Sequence, residues 1–349
     1  MSRAIEVGVL GATGMVGQQF LALLAGHPWF TPTWLAASER SEGKRYGDAA
    51  AWRLAGPAPE GVPDRVVESA TPGMGPKLVF SALDASVAGD LEREFAEAGH
   101  VVVSNARNHR MDAVVPLLVP EVNADHLALL EGQRAARGWK GLIVTNPNCS
   151  TVMLTMALAP LRQFDLRACL VTTLQAVSGA GYPGVPSYDI LGNVIPFISG
   201  EEEKIESETR KILGAAEAAG VTLHPVAVSA STTRVPVIDG HTESVSVSLG
   251  ARPQAEDLRQ AFEAFRGLPQ ELELPSAPPR PLLYLDAPNR PQPRFDAGRD
   301  GGMAVSIGRL RPCRVLDWKF FVLGHNTVRG AAGAAILNAE LMLAQGWLD

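Results

Sequence analysis

The chain has little cysteine: Cys149, Cys169 and Cys313 are all there is in 349 residues. Three scattered thiols exclude a disulfide framework and a cysteine-built zinc site, so no metal is expected and a reduced, cytoplasmic setting is. Blocks of Lys/Arg are missing too, and a formal net charge of -6 speaks against a nucleic-acid partner. There is no internal repeat. The opening residues, MSRAIEVGVLGATG, pass straight into a strand pattern and lack the layout of a signal peptide. One uncharged run, residues 141–161, approaches membrane-spanning length. Asn146-Pro147-Asn148 at its centre would break a helix and leave polar groups unpaired in lipid, so it reads as strand, turn and helix, with no membrane partner.

What is present is an ordinary globular balance, 46% hydrophobic and 19% charged, in a chain long enough for two domains. Residues 1–148 alternate short apolar runs (AIEVGVL, TWLAA, KLVFSAL, HVVVSN) with helical stretches (MVGQQFLALLAG, ASVAGDLEREFAEAGH). That alternation predicts a mostly parallel sheet with crossover helices. From about residue 167 the strands RACLVTTLQAV, HTESVSVSLG, MAVSIGRLR and RVLDWKFFVL are longer and alternate, as in a mixed sheet with one covered face. EEEKIESETRKILGAAEAAG and PQAEDLRQAFEAFRG predict helices between them, residues 268–300 a proline-rich ordered excursion, and NTVRGAAGAAILNAELMLA a closely packed last helix. The expectation is two α/β lobes.

In VGVLGATGMVG a strand leads into a helix through Gly11, Gly14 and Gly17. Gly11 suits the tight turn, Gly14 the approach of a pyrophosphate, and Gly17 helix-on-strand packing, with the anion at the helix N-terminus. Thr13, Met15 and Val16 fall in the same turn. The stretch ASERSEGKRYG, at the end of strand two, bears on which dinucleotide binds. Glu39 is the acidic residue an NAD site uses on the ribose hydroxyls. Ser38, Arg40 and Ser41, with Lys44, suit a 2'-phosphate, which favours NADP; the plainer alternative is a solvated charged loop.

TNPNCSTVMLT puts Cys149 where a helix begins, after Asn146-Pro147-Asn148. The dipole and free N–H groups there favour a thiolate and steady an oxyanion, so a lowered thiol pKa and a nucleophile are expected. Cys169 and Cys313, in strand-like or loop surroundings, read as structural. A nucleophilic cysteine needs a proton partner. His241, in TTRVPVIDGHTESVSV before an alternating strand, is the acid/base candidate once paired with Cys149, although alone it would pass for a satisfied histidine.

GATGMVG, ASERSEGKRYG, NPNCST, LQAVSGAGYPG, GEEEKIESET and RVPVIDGHTE, in this order, resemble the aspartate-semialdehyde dehydrogenase family, closest to its archaeal or fungal branch. The resemblance runs from Val7 to the final helix. It implies a Rossmann-type NADP-binding domain at 1–148, a mixed-sheet α/β catalytic and dimerisation domain at 149–325, and a C-terminal helix, 326–349, returning to the first. It also implies reduction of L-4-aspartyl phosphate to L-aspartate 4-semialdehyde with NADPH through a cysteine thioester, in lysine, threonine and methionine biosynthesis. Residue by residue, Cys149 becomes the nucleophile and His241 the acid/base. Arg234 clamps the substrate carboxylate, Gln175 and Asn148 hold the substrate, Glu201 and Lys204 meet its amino group and phosphate, and Arg110 meets the phosphate. Ser81, Ser178, Gly179 and Asn326 line the cofactor, and the assembly is a homodimer or homotetramer.

At helical spacing of i, i+3, Glu201 and Lys204 share a face, although an isolated pair of this kind is usually a solvated one. Three other functions stay open: N-acetyl-glutamyl-phosphate reduction, malonyl-CoA reduction, which has no substrate amino group to bind, and a non-catalytic dinucleotide sensor.

Overall fold

The computed structural model describes residues 4–217 and 220–348. The first sheet contains β1 (Ile5–Leu10), β2 (Phe30–Ala37), β3 (Glu68–Ser69), β4 (Leu78–Ser81), β5 (Val101–Ser104) and β6 (Leu142–Thr145). All are parallel, in the order β3-β2-β1-β4-β5-β6. Strands β4, β5 and β6 are buried end to end, as strands covered on both faces must be. Strand order reverses between β1 and β4, which opens a crevice outside their carboxyl ends.

The second sheet begins with β7 (Leu166–Gln175). A small antiparallel pair follows, β8 (Ala215–Glu217) and β9 (Gly220–Thr222), and then β10 (Ala227–Arg234), β11 (His241–Leu249), β12 (Leu282–Leu285), β13 (Val305–Pro312) and β14 (Trp318–Gly324). Its order is β10-β7-β11-β14-β13-β12, with parallel pairs at both edges and antiparallel pairs between. Val171, Val245, Val247, Phe320 and Val322 pack their shared face against Val152, Met153 and Met156 of the helix Cys149–Leu158. The opposite face is left open, so that Leu170 and Leu174 are 45% and 37% exposed. Among the described residues, no helix is long and apolar enough to cross a membrane.

Two expectations need correction. The helix predicted to run from Glu201 to Gly220 stops at Ile212. At Gly214 an added Cβ would lie 2.4 Å from Thr222 O, so the chain turns there into the β8–β9 pair; residues 218 and 219 lie outside the described residues. The proline-rich excursion is also partly sheet, because β12 lies within it and pairs with β13.

The helix Gly333–Ala344 returns to the first sheet, where Ile336, Leu337 and Leu341 join Val7, Phe20, Phe80 and Val103. A buried ion pair ties down the turn before it. Arg329 Nη1 donates to Glu121 Oε1 at 2.8 Å, Arg329 Nη2 donates to Oε2, and both side chains are wholly inaccessible. Removing one partner strands the other charge, so Arg329→Met is expected to destabilise the fold by about 3–5 kcal/mol, and adding Glu121→Leu to recover most of that. Urea unfolding midpoints measure both; a double variant as unstable as the single one would show that the ion pair is not what anchors this turn.

Candidate functional site

The crevice of the first sheet is shaped by its glycines. Gly11 sits at φ 72, a left-handed turn that other residues adopt at a cost. A Cβ at Gly17 would fall 2.3 Å from Gly11 O, so only glycine lets the helix Met15–Leu24 come this close. Gly14 caps that helix and is open, an added Cβ meeting only Gly11 O at 3.4 Å. Thr13, Met15 and Val16 keep part of their surface around it. An exposed helix start with free N–H groups fits a pyrophosphate. Beyond β2, Ser38, Glu39 and Arg40 are exposed, and Ser41 is buried, its N–H donating to Ser38 O at 2.8 Å.

Ser81 departs from expectation. Its buried hydroxyl donates to Glu92 Oε1 at 2.6 Å, beside Ser104 Oγ at 2.7 Å, so this hydroxyl serves the sheet interior. Burial raises the Glu92 carboxyl to about 7, against the two hydroxyl donors. Asn326 is likewise committed: Oδ1 accepts from Gly240 N and Nδ2 donates to Ser178 Oγ, each at 2.8 Å. It joins the Ser178-Gly179 loop to the turn before His241.

The second sheet supplies a row of side chains. Arg234 on β10 pairs in register with Gln175 on β7, and His241 follows one position beyond the Thr242–Leu174 pair of β11. Ala176 fastens both side chains: its carbonyl accepts from Arg234 Nη1 at 2.7 Å and its N–H donates to His241 Nδ1 at 3.0 Å. That bond assigns the imidazole proton to Nε2, which is buried without a protein partner. His241 therefore presents a donor, and accepting a proton at Nε2 requires it to break the bond to Ala176. Gly179 closes over this row, for an added Cβ would stand 3.0 Å from both Arg234 Nη1 and His241 Nε2.

Cys149 opens the helix Cys149–Leu158, and Asn148 caps it: Oδ1 accepts from Ser150 N at 3.0 Å and Thr151 N at 3.2 Å. Asn148 Nδ2 donates to Glu201 Oε1 at 2.6 Å, which links the nucleophile's turn to the helix Glu201–Ile212. Behind the cysteine, Gly330 packs so closely that an added Cβ would lie 2.6 Å from Cys149 Cβ.

The helix Glu201–Ile212 completes the site. Glu201 forms an ion pair with Lys204, whereas Glu202 Oε1 accepts from Thr232 N at 2.9 Å, on a different face. Arg110 Nη1 donates to Glu208 Oε1 at 3.0 Å and Nη2 to Asn105 O at 2.7 Å. Glu208 and Lys211 were not singled out from sequence. The signal was there: Glu201, Lys204, Glu208 and Lys211 form a helical stripe beside buried Ile205 and Ile212, too near the core for a solvated face.

Burial and then the Glu201 carboxylate push the Cys149 thiol up to about 12, against Lys204, Arg234 and Arg110. The direction is opposite to the one expected from the helix start, because desolvation and the Glu201 carboxylate both disfavour the thiolate. Burial, with Arg234 and His325, brings His241 down to about 3, so it is neutral near pH 7. Burial opposes ionisation of Glu201, but Lys204, Asn148 and Gln175 hold its carboxyl below the usual range. The resting site thus contains a neutral thiol and a neutral imidazole, not a thiolate–imidazolium pair.

A parallel dinucleotide-type sheet opening beside a helix-mounted cysteine, with a donor histidine and several fixed cations, defines a class: a two-domain nucleotide-dependent oxidoreductase. Residues 6–130 match the semialdehyde dehydrogenase NAD binding domain and residues 158–329 the semialdehyde dehydrogenase dimerisation domain. The chain is 53% identical over 343 residues to the aspartate-semialdehyde dehydrogenase of Methanothermobacter thermautotrophicus, covering 97% of this chain and 99% of the relative. For that of Archaeoglobus fulgidus the identity is 50% over 343 residues, with 97% and 98% covered. The crystal structure of aspartate semialdehyde dehydrogenase with NADP from Candida albicans superposes with a TM-score of 0.91 at 45% identity, covering 99% of this chain and 100% of that one. The chain belongs to the aspartate-semialdehyde dehydrogenase family.

A thiol raised by burial has one direct consequence. In the ligand-free protein, alkylation of Cys149 by iodoacetamide is expected to climb about tenfold per pH unit across roughly pH 6 to 10, with no step where histidine normally titrates. Rates from mass spectrometry of the Cys149 peptide test this, and a plateau below about pH 9 would return the thiol to the ordinary range.

Proposed function

We propose that this chain reduces L-4-aspartyl phosphate to L-aspartate 4-semialdehyde with NADPH, in the cytoplasmic synthesis of lysine, threonine and methionine. The observation that carries this is the set of charges that reach Cys149: the buried guanidinium groups of Arg234 and Arg110, the Lys204 ammonium and the Glu201 carboxylate. Aspartyl phosphate carries a carboxylate, an ammonium and a phosphate, and it needs that combination. Arg234 grips the carboxylate with its planar fork, Glu201 and Gln175 receive the ammonium, and Arg110 and Lys204 take the phosphate. Malonyl-CoA has no amino group for Glu201 to meet.

Cys149 Sγ attacks the acyl carbon, the C–O bond to phosphate breaks, and the thiol proton leaves on the departing phosphate, which gives a thioester. His241 Nε2–H stabilises the oxyanion of this step. NADPH, when bound, supplies the hydride that reduces the thioester. The resulting thiohemiacetal collapses to the aldehyde, and a proton from solution restores the thiol that burial favours. Gly11, Thr13, Gly14, Met15, Val16 and Gly17 would hold the pyrophosphate, Ser178 and Gly179 would close on the nicotinamide end, and Ser38, Arg40 and Ser41 would hold the 2'-phosphate. Residues 1–148, 149–325 and 326–349 act as cofactor domain, catalytic domain and returning helix. A second copy covers the open face of the second sheet at Leu170 and Leu174, making a homodimer, or a homotetramer if such dimers pair.

The reverse assay, with aspartate semialdehyde, phosphate and NADP, tests this reading. Cys149→Ser is expected to abolish turnover while leaving cofactor binding intact, and His241→Asn to cut turnover by about 10²-fold or more with little change in KM. Retention of about a tenth of the activity by the serine variant, a loss of only ~1.4 kcal/mol, would move the nucleophile elsewhere.

Cofactor choice is tested separately. Arg40→Ala is expected to weaken NADPH roughly ten- to a hundredfold and to spare NADH. Equal or better efficiency of the unaltered protein with NADH would assign Glu39 to the ribose hydroxyls instead.

A further inference from the structure

The helix Glu201–Ile212 holds more than the Glu201–Lys204 pair. Two turns on, Glu208 is buried and divides its carboxylate between two parts of the site. Oε1 accepts from Arg110 Nη1 at 3.0 Å, and Oε2 accepts from the backbone N–H of Asn148 at 2.6 Å. Lys211, one further turn along and also buried, donates to the carbonyls of Arg110, Asp112 and Val115 at 2.8, 2.7 and 2.9 Å. One helix therefore holds Arg110 twice, by its guanidinium and by its backbone. The same Glu208 carboxylate holds the residue that caps the nucleophile's helix.

We propose that Glu208 is a positioning residue that sets the distance between the phosphate-gripping arginine and the cysteine sulfur. It touches neither reactant and acts through Arg110 and Asn148. Three features favour this over a purely structural ion pair. The guanidinium is fixed from a second side by Asn105 O at 2.7 Å, and Asn105 is itself held by Asn146 Nδ2 at 2.8 Å, two residues before the cap. The Asn148 N–H is among the groups at the helix start that have no partner within the helix, and a carboxylate is the strongest neutral-pH acceptor a side chain can offer it. Finally, Arg110 Nε is buried with no protein partner, which leaves the arginine a donor in reserve for an anion. Attack on an acyl phosphate needs sulfur and phosphorus-bound oxygen in one alignment, and small misplacements of such groups are costly in rate.

The inference rests on Arg110 as the phosphate residue, and the experiment separates the two. Glu208→Gln keeps the shape but turns an N–H₂ toward one of the two donors, so one link breaks. In the reverse assay its phosphate KM is expected to rise about tenfold and turnover to fall about tenfold, with the semialdehyde KM within about twofold. Arg110→Lys is run beside it, and the double variant is expected to be no worse than the more damaged single one, because both act through one link. If Arg110→Lys raises the phosphate KM while Glu208→Gln leaves phosphate KM and turnover unchanged, the role of Glu208 is refuted and that of Arg110 stands. If Arg110→Lys leaves the phosphate KM unchanged, the Arg110 assignment fails and takes the coupling with it. If Glu208→Gln alters both KM values together and lowers the urea midpoint, Glu208 is only structural.

Discussion

The site depends on one constraint: a helix that begins out of water must find acceptors for its first N–H groups. In the helix Cys149–Leu158 every residue after the cysteine is buried, so solvent is not available to serve them. Asn148 answers with its own side chain for Ser150 and Thr151, and Glu208 answers for Asn148. A buried carboxylate then needs a cation, which is Arg110. Arg110 needs its backbone held, which Lys211 does. What began as the satisfaction of one helix terminus thus fixes Arg110, one of the cations whose charge reaches Cys149.

Electrostatics in the resting site follow from the same dryness. Cys149 is uncharged because its thiolate would be desolvated next to Glu201, and His241 is uncharged because its imidazolium would be desolvated next to Arg234. Four of the other side chains are arranged as pairs, Glu201 with Lys204 and Glu208 with Arg110, while Arg234 is held by the Ala176 carbonyl. A site in this state does not expose a reactive thiolate to stray electrophiles.

Much of the frame was legible because its causes are local. Gly11, Gly14 and Gly17 can be read from spacing, since the backbone reasons for glycine act within one turn. The change from buried parallel strands to alternating ones at β7 is a periodicity that needs no tertiary knowledge. What was not legible came from contacts remote in sequence. The helix start promised a lowered thiol, but the burial that raises it involves Glu201 and the close packing of Gly330, residues 52 and 181 positions away (201 − 149 and 330 − 149). Ser81 looked like a cofactor contact by address, and only the fold reveals that Glu92 claims its hydroxyl. Glu208 and Lys211 were hidden in a charged stripe that sequence habit assigns to solvent.

The C-terminal segment belongs to the site as much as to the first sheet. Asn146 Nδ2 donates to Ala331 O at 2.8 Å and its Oδ1 accepts from Asn338 Nδ2, so the turn before Cys149 is bonded to the last helix. Asn326 ties Gly240 and Ser178, Gly330 backs the cysteine, and Arg329 neutralises Glu121. These contacts explain why small residues crowd the start of that segment: Gly333, like Gly330, has no room for a Cβ, which would come within 2.5 Å of Met303 Sδ. They also make the returning helix a clamp across both sheets. Local opening at the chain's end, ordinarily the least costly motion a fold has, here breaks the support of the nucleophile itself. Stability of the last helix and integrity of the Cys149 turn are therefore one property.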